Sequence, residues 1–375
     1  MKKVAVLGAT GSIGKSSLDV LRQGGFKPML FTSHTNYQLL LKLKEEFPTS
    51  LLALSGRENT PALVDYSGRQ GLLDAIAACD ADIIINGISG AAGLEPSIAA
   101  LKSRACLALA NKESIVMAGS LILALGKERI IPVDSEHSAI FFLIKAHGKE
   151  NIEEIFITAS GGPFRNYTPE MLAKVSPREA LEHPIWNMGP KISVDSATLA
   201  NKGLEVIEAA QLFEFPPEKI QVLIHPQSIV HSMLRLKDGT IYCQMSKPDM
   251  RHPIHSALHW PEIVPSSIAA LNENLDFRCL SLDFENPDSL RFPMLSLAYT
   301  ACREGPLYPV VYNAANESAV EAFLEGRISF LEIPRIVEYV LSSGLWSINH
   351  EPGLAEILEA DNTARNMVFN SIGRK

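Results

Sequence analysis

The chain has 375 residues, 46% of them apolar and 20% charged, with a formal net charge of −8. That length exceeds what one hydrophobic core fills, so two or three domains are expected. The acidic balance speaks against a nucleic-acid-binding surface, no apolar run is long enough to span a membrane, and no leader of charged and apolar regions precedes the first strand, so export by a signal peptide is not expected.

Val4–Leu7, Met29–Phe31, Leu51–Leu54, Asp82–Asn86, Cys106–Ala110 and Ile130–Val133 read as strands. Several are apolar at every position, as strands buried on both faces of a parallel sheet are. Amphipathic helical stretches such as Leu39–Phe47 and Leu72–Cys79 alternate with them, so residues 1–134 form a Rossmann-like, doubly wound α/β domain. The loop after the first strand, Gly8-Ala-Thr-Gly11-Ser-Ile-Gly14, opens a helix. Its glycines allow a tight turn and close backbone approach to a pyrophosphate seated on the helix start. The second strand ends in Phe31-Thr-Ser-His-Thr-Asn36, without the acid that an NAD site uses on its ribose hydroxyl. NADPH is therefore expected. No Arg or Lys stands in that turn, and His34, Thr35 and Asn36 are left to serve through hydrogen bonds.

Pro132-Val-Asp134-Ser-Glu136-His lies where the sixth strand gives way to a helix, a position where open α/β sheets bind ligands. Two carboxylates one residue apart can converge on a hard cation, Mg²⁺ or Mn²⁺. Capping by Asp134, with Glu136 in the first turn, is the alternative. Asn111-Lys112-Glu113 follows another strand end and could either cap or act.

From residue 135 to 270 the texture is that of a central α+β domain: a helix over His137–His147, a strand over Glu154–Ala159, and a Gly-Gly-Pro loop. The segment from Asn166 to Pro190 is rich in Pro and aromatic residues and reads as irregular and mobile. A helix over Ala197–Phe213 comes next, with strands at Gln221–His225, Ile229–Leu236 and Thr240–Met245. Lys237-Asp-Gly239 is a hairpin signal. On the helix, Asn201, Lys202 and Glu205 share a face, and Ser196 is placed at the helix start, where an anion is stabilised. An amide, an ammonium and a hydroxyl beside a carboxylate suit a phosphate next to a metal. An exposed Lys–Glu pair would account for neither Asn201 nor Ser196. His255 and His259 lack the glutamate and third ligand of a zinc site and read as structural, as do His225 and His231. Residues 271–290 form a linker, and helices around Pro293–Cys302, Val311–Leu324, Phe330–Leu341 and Leu354–Asn370 make a C-terminal helical domain over 291–375. Cys79, Cys106, Cys243, Cys279 and Cys302 are scattered and odd in number, which suits reduced thiols and a cytoplasmic location.

The chain resembles the 1-deoxy-D-xylulose-5-phosphate reductoisomerases, NADPH enzymes of the methylerythritol phosphate route to isoprenoids. The resemblance rests on Gly8-Ala-Thr-Gly-Ser-Ile-Gly14, Ala110-Asn-Lys-Glu-Ser114, Val133-Asp-Ser-Glu-His137 and Ser160-Gly-Gly-Pro-Phe164. It continues through His183-Pro-Ile-Trp-Asn-Met-Gly189, Lys191-Ile-Ser-Val-Asp-Ser-Ala-Thr198, Asn201-Lys-Gly-Leu-Glu205, Ile224-His-Pro-Gln-Ser228 and Pro248-Asp-Met-Arg251. It implies that Thr10, Gly11, Ser12 and Ile13 hold the NADPH pyrophosphate, with Asn111, Glu113 and Gly189 further along the cofactor. Asp134, Glu136 and Glu205 would coordinate the metal. Ser160, Ser196, Asn201 and Lys202 would hold the substrate phosphate, with Ser135, Lys112 and His183 on the rest of the substrate. Trp186 and Met188 would cover it from a mobile flap. Lys112, Glu136, His183 and bound water remain open as proton-transferring groups, and a homodimer is implied. The Ser33–Asn36 turn departs from the family, where a Gly-Lys-Asn or similar basic stretch is common. Two rival readings are a metal-independent reductase and an NADPH-binding sensor without chemistry.

Overall fold

The first six expected strands all form, because their Val, Ile and Leu side chains fill both faces of one sheet. The computed structural model describes residues 1–57, 63–186 and 188–373. In chain order the elements begin β1 (Lys2–Leu7), α1 (Ser12–Leu21), β2 (Phe26–Ser33), α2 (Tyr37–Glu46), β3 (Leu51–Leu54), β4 (Tyr66–Ser67) and α3 (Gly68–Ala78). Next are β5 (Ile83–Asn86), α4 (Leu94–Lys102), β6 (Cys106–Leu109), α5 (Lys112–Gly126), β7 (Ile130–Pro132), α6 (Ser135–His147) and β8 (Ile152–Ala159). Then come α7 (Pro169–Leu172), α8 (Pro177–Ala180), α9 (Pro190–Thr198), α10 (Ala200–Leu212), β9 (Ile220–Ile224), β10 (Val230–Leu236) and β11 (Ile241–Met245). The chain ends with α11 (Arg251–His259), α12 (Met294–Glu304), α13 (Tyr308–Leu324), α14 (Glu332–Leu341) and α15 (Leu354–Ile372).

The chain falls into two compact units. The first comprises Met1–Ser114, Ile122–Phe141 and Asp249–Asp276. Its seven-stranded sheet runs β4-β3-β2-β1-β5-β6-β7, parallel throughout. Strand order reverses between β1 and β5, the switch point where such sheets open a ligand crevice. Val4, Val6, Phe31, Leu52, Ile85 and Ala108 form its buried centre. Ile254 and Leu258 of α11 join that core, and Lys2 Nζ donates to the Leu258 carbonyl at 3.0 Å. Residues 249–276 therefore belong with the first sheet, whereas the sequence placed 249–270 in the central domain and 271–276 in the linker. The reason is the apolar face of α11, which the sequence displays without naming its partner.

The second unit comprises Ile115–Leu121, Phe142–Pro248 and Phe277–Lys375. Its four-stranded sheet has the order β11-β10-β8-β9, with β8 and β9 parallel and the others antiparallel. The expected hairpin forms, and Gly239 takes φ +89° in its turn. The C-terminal helices pack into this same unit: the Tyr299 hydroxyl donates to the Ile220 carbonyl at 2.7 Å. The expected linker also engages it, since Ile224 and Glu285 exchange two backbone hydrogen bonds. His225 stacks on Phe284 there, a structural role.

Two local expectations change. The stretch 166–190 holds α7 and α8, each with proline at its first turn and capped by Thr168 and Ser176. The long helix expected from Ala197 is two helices, because Leu199 adopts φ +62° and ends α9. Among the described residues no helix is long and apolar enough to cross a membrane.

Candidate active site

In the first unit, β1 delivers the chain to Gly8, whose φ of +75° only glycine tolerates well. A Cβ there would lie 2.9 Å from the Gly87 carbonyl oxygen, so β1 and the loop after β5 touch backbone to backbone. Ala9 N donates to the Thr32 carbonyl at 2.8 Å, Gly8 N to Thr32 Oγ1 at 2.9 Å, and Gly11 N to the Gly8 carbonyl at 3.0 Å. The Thr10 and Ser33 hydroxyls share a hydrogen bond at 3.0 Å. These contacts fix the loop, and α1 starts at Ser12 with the amides of its first turn lacking intrahelical partners. Thr10, Gly11, Ser12 and Ile13 thus frame an anion-binding helix start.

His34 and Asn36 do not present free side chains. His34 Nδ1 bonds Ser55 Oγ at 3.1 Å, and Asn36 Oδ1 caps α2 by accepting from Leu39 N at 3.1 Å. Among the described residues the Thr35 side chain makes no hydrogen bond.

Asn111 caps α5 through Ser114 N, and its Nδ2 donates to the Ile88 and Gly90 carbonyls and to Glu113 Oε2. That side chain is fully occupied inside the protein. It holds Glu113 and the loop after β5 in place, together with Ser97 and Asn86, whose Nδ2 donates to Ser97 Oγ at 2.8 Å. This buried polar network was not singled out from sequence. Its Asn and Ser residues at strand and helix ends were the available signal.

Lys112, 5% exposed, pairs with Asp134. Asp134 stands just before α6, and its carbonyl accepts from Ser138 N at 2.8 Å. Its carboxylate is thus turned to an ammonium while its backbone starts the helix. Ser135 Oγ donates to Glu136 Oε2 at 2.6 Å. Two carboxylates, with a hydroxyl and an ammonium between and beside them, form a donor set of hard oxygens that suits Mg²⁺ or Mn²⁺.

The second unit carries the other named residues. Glu205 is 1% exposed; Asn201 Nδ2 donates to its Oε1 at 2.6 Å and Lys202 Nζ to its Oε2 at 2.5 Å. The shared helix face expected from the spacing is therefore present. Ser196 is not at a helix start but in the last turn of α9, for the Leu199 reason given above. The helix start nearby belongs to α10, whose first turn carries Asn201 and Lys202, and Leu199 N donates to the Ser196 carbonyl at 3.3 Å. The Ser160–Gly162 loop after β8 lies against the same spot, since a Cβ on Gly162 would sit 2.6 Å from the Ser196 carbonyl oxygen. Ser196 and the Ser160 loop thus adjoin the start of a 13-residue helix whose first turn carries Asn201 and Lys202, and the positive end of a helix can hold an anion. Asp195, 1% exposed, accepts from Asn316 Nδ2 of α13 at 2.7 Å and pairs with Lys191 at 2.9 Å, which anchors α9 to the helical layer. Sequence reasoning missed this anchor because 121 residues separate its partners.

His183 Nε2 bonds Ser160 Oγ at 2.9 Å, and its Nδ1 accepts from Ile185 N at 3.2 Å and Trp186 N at 2.9 Å. An accepting Nδ1 requires the proton on Nε2, so the ring is neutral and donates to Ser160. Burial pushes its pKa down to about 4. The neutral ring ties the start of the Pro184–Met188 segment to the Ser160 loop. Trp186, Met188 and Gly189 follow it, partly exposed, and Gly189 leads into α9.

The depressed value gives a pH expectation. Below the ordinary imidazole pKa of about 6.5 the unfolded state takes up a proton that the native ring refuses. The stabilisation is full above 6.5 and declines as pH falls toward about 4. Nitrogen-15 spectra should show a neutral Nε2-protonated ring at pH 6; an imidazolium signal there would contradict the hydrogen-bonding pattern.

Comparison with known proteins places this geometry. Residues 4–119 match the family described as 1-deoxy-D-xylulose 5-phosphate reductoisomerase, residues 130–213 its C-terminal domain, and residues 245–367 the DXP reductoisomerase C-terminal domain. The 1-deoxy-D-xylulose 5-phosphate reductoisomerase of Treponema denticola is 46% identical over 99% of this chain and 97% of its own. That of Thermodesulfovibrio yellowstonii is 44% identical over 100% of both. A crystal structure of DOX-P reductoisomerase with NADPH, fosmidomycin and magnesium superimposes with a TM-score of 0.93 at 37% identity, covering 100% of this chain and 98% of that one. The Zymomonas mobilis enzyme in complex with NADPH gives a TM-score of 0.87 at 39% identity, over 99% of each chain. With all three family segments matched in order over nearly its whole length, the chain belongs to the 1-deoxy-D-xylulose 5-phosphate reductoisomerase family.

Proposed function

We infer that the residues gathered in each unit serve one reaction. The chain is an NADP-dependent oxidoreductase that converts 1-deoxy-D-xylulose 5-phosphate into 2-C-methyl-D-erythritol 4-phosphate with NADPH and a divalent cation, in the methylerythritol phosphate route to isoprenoid precursors. The observation that carries this reading is the face of α10, where Asn201 and Lys202 both donate to the buried Glu205.

Thr10, Gly11, Ser12 and Ile13 are assigned to the NADPH pyrophosphate, with Ser33–Asn36 on the adenosine side. Glu113 and Gly189 extend the cofactor site, and Asn111 positions Glu113. Asp134, Glu136 and Glu205 are assigned to the cation. When bound, the cation supplies positive charge for the oxyanions that develop as the carbon skeleton rearranges, and NADPH supplies the hydride that follows.

The remaining work falls to the chain's own groups. Ser160, Ser196, Asn201 and Lys202 hold the substrate phosphate, which fixes orientation through both steps. Ser135 and Lys112 contact the rest of the substrate. Trp186 and Met188 cover it and exclude water. His183 acts as a neutral hydrogen-bond donor, because a ring with a pKa of about 4 holds no second proton to shuttle near pH 7. Proton transfer then rests with Lys112, Glu136 or bound water. Either Mg²⁺ or Mn²⁺ fits the all-oxygen set.

We also infer a cytoplasmic homodimer. The five cysteines carry no disulfide, and β11 is an edge strand with Ile241 54% and Tyr242 39% exposed, a surface suited to a second copy.

The deciding assay follows NADPH absorbance. Oxidation should require both 1-deoxy-D-xylulose 5-phosphate and Mg²⁺ or Mn²⁺. Undiminished oxidation in the presence of a chelator would point to a metal-independent reductase. Binding of NADPH without any oxidation would leave a sensor.

A further inference from the structure

NADPH differs from NADH by one ribose phosphate, yet the turn that follows β2 carries no cation. Its polar groups make neutral contacts: Ser33 Oγ accepts from Asn36 N at 3.2 Å, Asn36 Oδ1 caps α2, and His34 Nδ1 engages Ser55 Oγ. A phosphate dianion placed against them would receive hydrogen bonds but no counter-charge.

The neighbouring strand supplies one. β2 and β3 run parallel with Ser33 beside Leu54. Their ladder continues past both strand ends, with Ser55 N donating to the Ser33 carbonyl at 3.0 Å and Gly56 N to the His34 carbonyl at 2.8 Å. Gly56 lies so close that a Cβ on it would be 2.6 Å from the His34 carbonyl oxygen and 3.0 Å from the imidazole Cε1. The next residue is Arg57, one Cα–Cα step of about 3.8 Å further on. Arg57 is exposed, and the structure shows no hydrogen bond or ion pair for it among the described residues. A long guanidinium thus leaves the chain directly beside the His34 turn.

We propose that Arg57, held beside the β2 turn by the Ser55–Gly56 backbone pairing, is the residue that selects the 2′-phosphate of NADPH. The planar fork of its guanidinium binds two phosphate oxygens, and His34 and the neighbouring turn supply neutral hydrogen bonds. The cation that dinucleotide sites commonly place after the second strand is here delivered from the third. Sequence inspection restricted to residues 33–36 does not find it, because register brings residue 57 to that edge.

The proposal rests on the NADPH reading above, and titration calorimetry on the full chain separates the two. The probes are 2′,5′-ADP and 5′-AMP, which report the adenosine end without turnover. The wild-type protein should bind 2′,5′-ADP more tightly, with an advantage that shrinks as salt rises. Arg57→Ala should weaken 2′,5′-ADP and NADPH by roughly 10- to 100-fold and leave 5′-AMP and NADH unchanged. Arg57→Lys should recover part of the loss, since it keeps the charge without the fork. The KM for NADPH should rise in parallel, while the thermal midpoint should match wild type, because the side chain is exposed. Unchanged affinity of Arg57→Ala for 2′,5′-ADP would overturn the proposal and mark Arg57 as a solvated surface cation. Equal losses for both probes would overturn it in favour of a general effect on the pocket. A wild-type protein indifferent to the 2′-phosphate would overturn the NADPH reading and this proposal together.

Discussion

Glu205→Gln is expected to lower kcat by about 10³-fold or more while NADPH binds as it does to wild type. A metal ion supplies several kcal/mol of charge stabilisation to developing oxyanions, and about 4 kcal/mol corresponds to roughly 10³ in rate. Glutamine keeps the shape of the side chain but removes its charge. It also turns an amide nitrogen toward either Asn201 Nδ2 or Lys202 Nζ, both of which now donate to Glu205. Lys202 is 4% exposed, so its ammonium would lose the Glu205 carboxylate in a dry setting. Breaking such a pair costs about 3–5 kcal/mol, and less where glutamine retains one acceptor oxygen. A lower thermal midpoint is therefore expected alongside the loss of activity. Fluorescence titration with NADPH controls for the nucleotide site, and electron paramagnetic resonance of Mn²⁺ reads cation affinity without turnover. Near-normal turnover with undiminished Mn²⁺ binding would remove Glu205 from the ligand set.

The elements read from sequence divide by the range of the interactions that make them. Strands β1, β3, β5 and β6 were legible because their apolar runs are continuous and reach a Gly or Asn within two residues of their last apolar position. The glycine loop was legible because Gly8 needs a positive φ that the residue type itself advertises. The face of α10 was legible from spacing alone, and the Asn201–Glu205 and Lys202–Glu205 contacts follow from 3.6 residues per turn. The break at Leu199 was not. A leucine with φ +62° is imposed by surrounding packing and leaves no mark in the sequence, so Ser196 was set one helix too late. Thr168-Pro169 and Ser176-Pro177-Arg-Glu179 did carry start signals for α7 and α8, which proline-rich texture obscured. Contacts across long sequence separations stayed out of reach. Asn316 on Asp195, α11 on the first sheet and the Glu285 bridge to Ile224 all depend on tertiary placement.

Gly162→Ala should reduce kcat/KM for the sugar phosphate by roughly 10²-fold, the scale attached to a misplacement of about 1 Å in a positioned site. Gly162 takes φ +69°, where a Cβ costs about 1–2 kcal/mol. The added methyl would also meet the Ser196 carbonyl oxygen at 2.6 Å and Ala197 Cα at 3.1 Å, both backbone atoms that cannot rotate aside. Relieving that overlap adds about 1–3 kcal/mol and must push the Ser160 loop away from the end of α9. Ser160 travels with it, because Gly162 N donates to Ser160 Oγ at 3.2 Å and His183 Nε2 bonds the same oxygen. The loss should therefore fall on substrate KM as well as kcat, with a lower thermal midpoint and unaltered NADPH binding. Ser160→Ala provides the contrast: it removes one hydroxyl and leaves the backbone in place, so about 1 kcal/mol of binding is expected to go, with a smaller fall in thermal midpoint than Gly162→Ala gives. A Gly162→Ala protein with wild-type midpoint and KM would show that the loop and α9 are not held together as the backbone contact requires. The phosphate position would then have to be built from α10 alone.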